Sequence, residues 1–178
     1  GALGQPNLFI SYSQNSSTEI FAGAIEEYCS NSGLNPRDLF VWVDALSMKW
    51  QDLTDGATSS HNDSETHTQQ RLITQKLIKE CGHVLAVFSH WDRSKSEEGW
   101  LKRMWCIYEG FEAVRHQVLF SVGLAKPERE RFVQALIEDP THVVDLLCTT
   151  VDVRDAKGFN KQQKMMLLDH FMKMDPND

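Results

Sequence analysis

A run of hydroxyl and amide side chains directly follows the first apolar segment of the chain. The run consists of Tyr12, Ser13, Gln14 and Asn15. These side chains and their backbone amides could hold the oxygens of a diphosphate or a ribose. A Ser- and Asn-rich run ahead of a helix is equally typical of an N-cap loop. The sequence therefore allows two interpretations of this segment, a binding loop and a helix cap.

Two aromatic positions further along the chain could contact a planar ligand. Trp91 follows Ser89 just after an apolar run, where an indole could stack on a flat ring or simply cover the core. Trp105 precedes Glu109 by four residues in an aromatic segment, and that spacing places both side chains on one face of a helix. Glu112, three residues further on, is expected to be an outward-facing helix charge.

Apolar runs alternate with helical patterns from one end of the sequence to the other. Unbroken apolar runs predict buried strands at 8–12, 39–46, 83–89 and 117–124, with an edge strand at 150–153. Apolar residues at helical spacing predict helices at 19–31, 70–81, 100–116, 127–137 and 161–174, with a short turn or helix at 143–147. We therefore expect an α/β protein with a flavodoxin-like, doubly wound, mostly parallel five-stranded sheet and helices on both faces.

In such sheets ligands bind outside the carboxyl ends of the strands. The loops at that edge follow Tyr12, Leu46 and Ser89, and they are also the most polar parts of the chain. The longest of them, residues 49–66, has the length of a functional loop.

Composition limits the classes of protein to which the chain can belong. It has 178 residues, of which 41% are hydrophobic, so we expect residues 8–174 to form one globular domain after a tail at 1–7, a candidate cloning remnant. The net charge of −7 argues against binding to nucleic acid. No apolar run approaches the roughly 18 residues of a membrane span and no secretory signal opens the chain, so we expect a cytoplasmic protein without a membrane partner.

Four cysteines stand far apart without a C-x-x-C pair, a pattern that predicts free thiols in a reducing compartment. Only His61 and His67 lie close together, in a polar loop with Asp63 and Glu65, where a solvated loop is expected rather than a metal site.

Three motifs in this order resemble those of Toll/interleukin-1 receptor (TIR) domains. The first strand reads Phe9-Ile10-Ser11-Tyr12-Ser13, the third apolar run ends in Phe88-Ser89, and the helix after it contains Trp105-Cys106-Ile107-Tyr108-Glu109. The resemblance extends from Leu8 to about His116. Two receptor-type features are absent: Lys49–Gly56 replaces the Arg-Asp-x-x-Pro-Gly loop, and only Phe159 remains near the usual Phe-Trp pair.

The resemblance implies an enzyme that cleaves the nicotinamide–ribose bond of NAD+, since catalytically active members carry a Glu four residues after that Trp. On this chain the catalytic residue would be Glu109, and Tyr12, Ser13, Gln14, Asn15, Ser89, Trp91 and Trp105 would contact the substrate. NAD+ would be the substrate, with no resident cofactor and no metal, and the product linear or cyclic ADP-ribose. The resemblance also implies self-association or association with other TIR-like domains, in immune or stress signalling. We expect Glu109→Ala to leave folding intact, as for an exposed or cleft carboxylate.

Other functions remain open at this point. The same fold could be a non-catalytic TIR-type interaction module. Less favoured are a nucleoside-transferring enzyme and a flavin-binding protein, because the loop at 13–18 lacks the glycine that phosphate cradles usually contain. A phosphorelay receiver would need acidic residues where this chain has Ser11-Tyr12-Ser13.

Overall fold

Four parallel strands form the central sheet in the part of the chain that the structure describes. The computed structural model describes residues 4–14, 16–43, 63–92, 99–158 and 160–173. Within these ranges the strands are β1 (Leu8–Tyr12), β2 (Val41–Trp42), β3 (His83–Phe88) and β4 (Leu119–Leu124). The helices are α1 (Thr18–Ser32), α2 (Asp63–Cys81), α3 (Met104–Arg115), α4 (Lys126–Glu138), α5 (Pro140–Thr150) and α6 (Lys161–Lys173). Two short 3-10 helices cover Pro36–Asp38 and Trp100–Lys102.

The strand order is β2-β1-β3-β4, and all three pairings are parallel. β1 and β3 therefore lie inside the sheet, where both faces of a strand are covered. This position explains why their sequences are unbroken apolar runs rather than alternating ones. The α/β class and the parallel sheet are as predicted, and this order is compatible with a flavodoxin-like fold.

The prediction of a fifth strand at 150–153 is wrong. Helix α5 continues to Thr150, and the described residues that follow form a turn. In that turn the Asp152 carboxylate accepts a hydrogen bond of 2.9 Å from the backbone N–H of Arg154. A local side-chain acceptor of this kind replaces the ladder bonds that a strand would need. The sheet in the described residues thus has four strands.

The second strand is shorter than predicted. Among the described residues Val41 and Trp42 pair with β1, opposite Leu8 and Phe9, whereas the apolar run predicted a strand over 39–46. Residues 44–46 and the polar loop up to residue 62 lie outside the described residues.

Helices begin and end at residues with typical capping behaviour at several positions. Ser17 caps α1 by accepting a hydrogen bond from Ile20 N, and Gly33 ends α1 with a φ of 67°. Gly82, with a φ of 68°, follows α2. That left-handed conformation is readily available to glycine. Asp139 separates α4 from α5, which begins at Pro140.

Two predicted helices have different starts in the structure. The helix predicted at 70–81 begins at Asp63. The helix predicted at 100–116 is divided, because the backbone of Lys157 bonds to Lys102 O and Met104 N between the short 3-10 helix and α3. This bridge ties the chain before α6 to the start of α3.

Helices cover both faces of the sheet, as predicted. On one face Leu8 and Ile10 pack with Ala24 of α1. On the other face Phe9 packs with Ile78 of α2 and Ala113 of α3. Helix α6 packs on the outer side of α3, so α3 is covered from two directions. Within the described ranges, no helix combines the length and the apolar character that crossing a membrane requires.

Candidate functional site

Glu109 lies on α3 and is buried against β1, with 4% of its surface exposed. Ser11 Oγ donates a hydrogen bond of 2.5 Å to its carboxylate. Ser11 is the penultimate residue of β1, so it lies near the carboxyl ends of the parallel strands. The structure therefore places the predicted catalytic carboxylate at the carboxyl end of the sheet.

A second hydrogen bond fixes the direction of the first. The indole N–H of Trp100 donates to Ser11 Oγ at 2.8 Å, so the Ser11 hydroxyl proton is left to point at Glu109. An indole N–H is only a donor and an ionised carboxylate is only an acceptor. The chain of donors from Trp100 through Ser11 therefore holds the Glu109 carboxylate in a fixed orientation.

Gly110 allows the Trp100 ring to lie against α3. A Cβ at position 110 would come within 2.7 Å of Trp100 Cη2, closer than real Cβ contacts allow. On its other side the Trp100 ring stacks on Phe88 of β3, with centroids 5.0 Å apart. The glycine next to Glu109 is thus needed for close approach rather than for backbone flexibility.

The segment that begins at Tyr12 was open to two interpretations, a binding loop and a helix cap. Cys106 Sγ contacts Tyr12 O at 3.3 Å, one helical turn before Glu109, which brings Tyr12 close to the carboxylate's helix. Ser13 is buried, Gln14 is exposed, and Asn15 lies outside the described residues. Ser13 O accepts a hydrogen bond from Ser16 N in a tight turn just before the Ser17 cap. The turn supports a capping role and leaves Gln14 open to solvent.

Ser89 and Trp91 begin the loop of the neighbouring strand. Tyr12 pairs in register with Val87, so the loops after β1 and β3 start side by side. Ser89 is half-buried, whereas Trp91 is buried and packs edge-on against Phe132 of α4. The described contacts of Trp91 are thus with α4, whereas Ser89 lies at the carboxyl end of the sheet, as predicted.

Trp105 is half-buried and packs on Tyr108, with ring centroids 5.5 Å apart. Both rings join a cluster with Leu167 of α6. The spacing of four residues places Trp105 one helical turn before Glu109 on the same side of α3. The described contacts of the Trp105 ring, however, are with the cluster at α6 and not with β1.

Glu112 is not the outward charge that its position on the helix predicted. Its side chain is completely buried and lies 3.0 Å from His170 Nε2 of α6 and 3.1 Å from His116 Nε2. The reason is that the sheet covers α3 on one side and α6 covers it on the other. Two carboxylates three residues apart, Glu109 and Glu112, can therefore both be buried. Burial, with the negative charge of Glu112 beside it, raises the pKa of Tyr108.

The sequence predicts neither Ser11, which bonds to Glu109, nor Trp100, which bonds to Ser11, as a site residue. Ser11 belongs to the strand motif, and Trp100 is one of several aromatic residues in that part of the chain. A signal was present, since a serine inside an apolar run must find a buried hydrogen-bond partner. Its partner could not be identified before the packing of α3 was known.

Chemically, the site offers a desolvated and oriented carboxylate. Charges held in a water-poor environment act more strongly on a neighbouring charge than they do in water. Among the described residues no group of three His, Cys, Asp or Glu side chains could hold a metal ion. Comparison of the chain with protein-family models, curated proteins and solved structures gives no match.

Proposed function

We propose that this chain is a TIR-like NAD+ glycohydrolase or cyclase in which Glu109 is the catalytic residue. The observation that carries the proposal is the position of Glu109: a buried carboxylate, held by Ser11, at the carboxyl end of a parallel sheet. Parallel sheets of this class bind ligands at that edge. The resemblance of the strand and helix motifs to TIR domains supports the choice of NAD+.

One carboxylate is enough for this reaction. When the C1′–N bond of NAD+ breaks, nicotinamide takes the electron pair and leaves as a neutral ring, so it needs no proton. The ribosyl group becomes positively charged, and the Glu109 carboxylate would stabilise that charge. A water oxygen then bonds to C1′ and releases a proton, giving nicotinamide and ADP-ribose. Attack by the adenine instead of water would give the cyclic product.

Release of nicotinamide from NAD+ by the purified chain, followed by chromatography, tests the proposal. Glu109→Gln keeps the size of the side chain and an acceptor for Ser11 but removes the charge. We expect its rate to fall by at least about a hundredfold. Glu112→Gln is the matched control, because it neutralises the other buried carboxylate of α3, which faces α6. Parental turnover by Glu109→Gln would refute the assignment of the site.

We further propose that the active form is an assembly of this chain with itself or with other TIR-like domains, as the family resemblance implies. The rate of nicotinamide release per molecule is then expected to rise with protein concentration. A dilution series followed by chromatography, with light scattering at the same concentrations, measures both quantities. A rate per molecule that stays constant while the molecular mass changes would contradict this part of the proposal.

A non-catalytic interaction module is the second candidate. The observation that favours it is the internal hydrogen bonding of Glu109, since a carboxylate bonded to Ser11 can serve the fold alone. On that reading, concentrated protein releases no nicotinamide, and Glu109→Gln changes stability or self-association instead.

A further inference from the structure

Three positively charged residues lie next to each other at the start of α3. A parallel bridge joins Arg103 to Lys157. The Lys157 N–H donates to Lys102 O at 2.7 Å, and the Met104 N–H donates to Lys157 O at 3.0 Å. Chain segments bonded in this way lie about 4.8 Å apart. The backbone therefore brings the bases of the three cationic side chains together, although Lys157 is far from the other two in the sequence.

A fourth cation joins this group from α6. A Cβ at Gly158 would lie 2.8 Å from Lys164 Cβ, so the Lys164 side chain starts directly beside the residue that follows Lys157. Lys157 is exposed and the other three cations are half-buried, so all four are in contact with solvent. We refer to Lys102, Arg103, Lys157 and Lys164 as the basic cluster.

The basic cluster has no acidic partner in the part of the chain that the structure describes. No carboxylate there forms an ion pair with any of its four cations, whereas Arg115 and Arg129 each pair with a glutamate. The acidic residues of the loop before α6 act on another cation: the hydrogen-bonded Asp152 and the charge of Asp155 raise the pKa of Arg154. Like charges at close range repel each other, so an anion from outside the chain would stabilise the cluster.

The position of the basic cluster indicates which kind of anion it fits. Helix α3 connects the end of β3 to the start of β4, and these strands are parallel, so α3 begins at the carboxyl end of the sheet. Nucleotides bind at that end of doubly wound sheets. An arginine fork contacts two phosphate oxygens at once, and lysines neutralise phosphate as point charges. One phosphate monoester carries at most about two negative charges, fewer than four cations can balance.

We propose that the basic cluster binds the diphosphate group of a nucleotide. The Arg103 guanidinium would bond to oxygens of one phosphate, and the lysines would neutralise the charge of both. The proposal does not depend on cleavage of NAD+, because it concerns the binding of a diphosphate and uses none of the residues assigned to that reaction.

The probe for the test is ADP, which contains no nicotinamide. Isothermal titration calorimetry with EDTA present, so that no metal ion accompanies the nucleotide, measures its binding. We expect saturable binding at one site per chain. AMP should bind at least about tenfold more weakly, because it lacks one charged phosphate group. Adenosine should give no measurable heat of binding.

Variants test the cluster itself. Arg103→Gln should weaken ADP binding at least about tenfold and Lys157→Gln about fivefold, since each removes a charged donor. Arg103→Lys keeps the charge without the fork and should fall between Arg103→Gln and the parent. The matched controls are Arg37→Gln and Lys76→Gln, which make the same changes in net charge at exposed positions outside the cluster. Circular dichroism checks that each variant is folded.

Three results would overturn the proposal. They are the absence of saturable ADP binding, equal binding of ADP and AMP, and equal effects of the cluster variants and their controls. Vesicles that contain phosphatidylinositol 4,5-bisphosphate separate a nucleotide from a lipid headgroup. Binding to these vesicles that is lost in Lys157→Gln while ADP does not bind would assign the cluster to a lipid instead. If Arg103→Gln does not fold, Lys157→Gln decides the test, because Lys157 is exposed.

Discussion

At the scale of single residues, Ser11 has two roles at once. It accepts a hydrogen bond from Trp100 and donates one to Glu109, all three side chains being buried. Removal of one partner in such a network leaves another buried polar group unpaired. The expectation that Glu109→Ala leaves folding intact was made for an exposed or cleft carboxylate, whereas the structure shows Glu109 at 4% exposure and bonded to buried Ser11, so the substitution is now expected to cost stability.

Ser11→Ala is predicted to destabilise the protein by about 1–3 kcal/mol, because both the indole N–H and the carboxylate lose their partner. Urea unfolding followed by circular dichroism measures the change. Ser32→Ala is the control: its hydroxyl is exposed and bonds only to helix carbonyls, so a change within about 0.5 kcal/mol is expected. Equal effects of the two substitutions would show that the network contributes nothing to stability.

The site was only partly predictable at this scale. Glu109 was found from its spacing after Trp105 within a known motif. The burial of Glu112 could not be predicted from one helix, because it depends on a second layer, α6, which brings His170 to it. A helical pattern indicates one apolar face, whereas α3 is covered on two sides.

At the scale of elements, the interior strands were the most predictable. β1 and β3 are buried on both faces, so their sequences carry a continuous apolar signal. The segment predicted as a strand at 150–153 contains three β-branched residues, Thr150, Val151 and Val153, but the packing of its neighbours determines its structure. Val143 of α5 is buried in the core, which fixes the helix that precedes this segment. The Asp152 carboxylate then accepts a hydrogen bond within a turn. Short apolar runs at an edge do not distinguish these outcomes.

Helix α4 fixes the loop after β3 through charged side chains. The carboxylate of Glu128 accepts the Trp91 backbone N–H at 3.0 Å, and Arg131 bridges Glu128 and Asp92. Bonds to a charged acceptor are stronger than those between neutral groups. Helix α4 therefore holds the start of this loop in place.

Glu128→Ala is predicted to release the loop, so that the Trp91 amide exchanges with solvent at least about tenfold faster. The loss of a charge-assisted hydrogen bond, about 1.5–3 kcal/mol, is sufficient for that change. Hydrogen exchange measured by NMR reports on this amide. Glu130→Ala on the same helix removes an exposed carboxylate and should leave the exchange rate unchanged. Equal protection in both variants would mean that packing on Phe132 alone holds the loop.

At the scale of the whole molecule, two half-buried histidines, His83 and His116, link the stability of the protein to pH. Burial lowers the pKa of His83, which lies between Tyr28 of α1 and Ser121 of β4. Burial also lowers the pKa of His116. When the folded pKa is below the unfolded value of about 6.5, the unfolded chain binds the proton more readily. The stabilisation is then fully present above pH 6.5 and is lost as the pH falls below it.

The free energy of unfolding is predicted to decrease between pH 7.5 and pH 5.5, with at most about 1.4 kcal/mol per pH unit from a single proton. His83→Gln removes one titrating group and should give a shallower pH dependence than the parent. His142→Gln, at an exposed position, should leave the slope unchanged. Urea unfolding across this pH range provides the comparison. A slope that is the same in all three proteins would exclude His83 as a source of the effect.

The contact between Gly110 and Trp100 constrains how this sequence can change during evolution. Any side chain at position 110 would collide with the indole, whose near atom would be 2.7 Å away. A smaller residue at position 100 would make room, but it would take the donor away from Ser11. We therefore expect positions 100, 110 and 11 to vary together among relatives of this protein. A lineage that loses this glycine is expected to have lost the orientation of Glu109 as well.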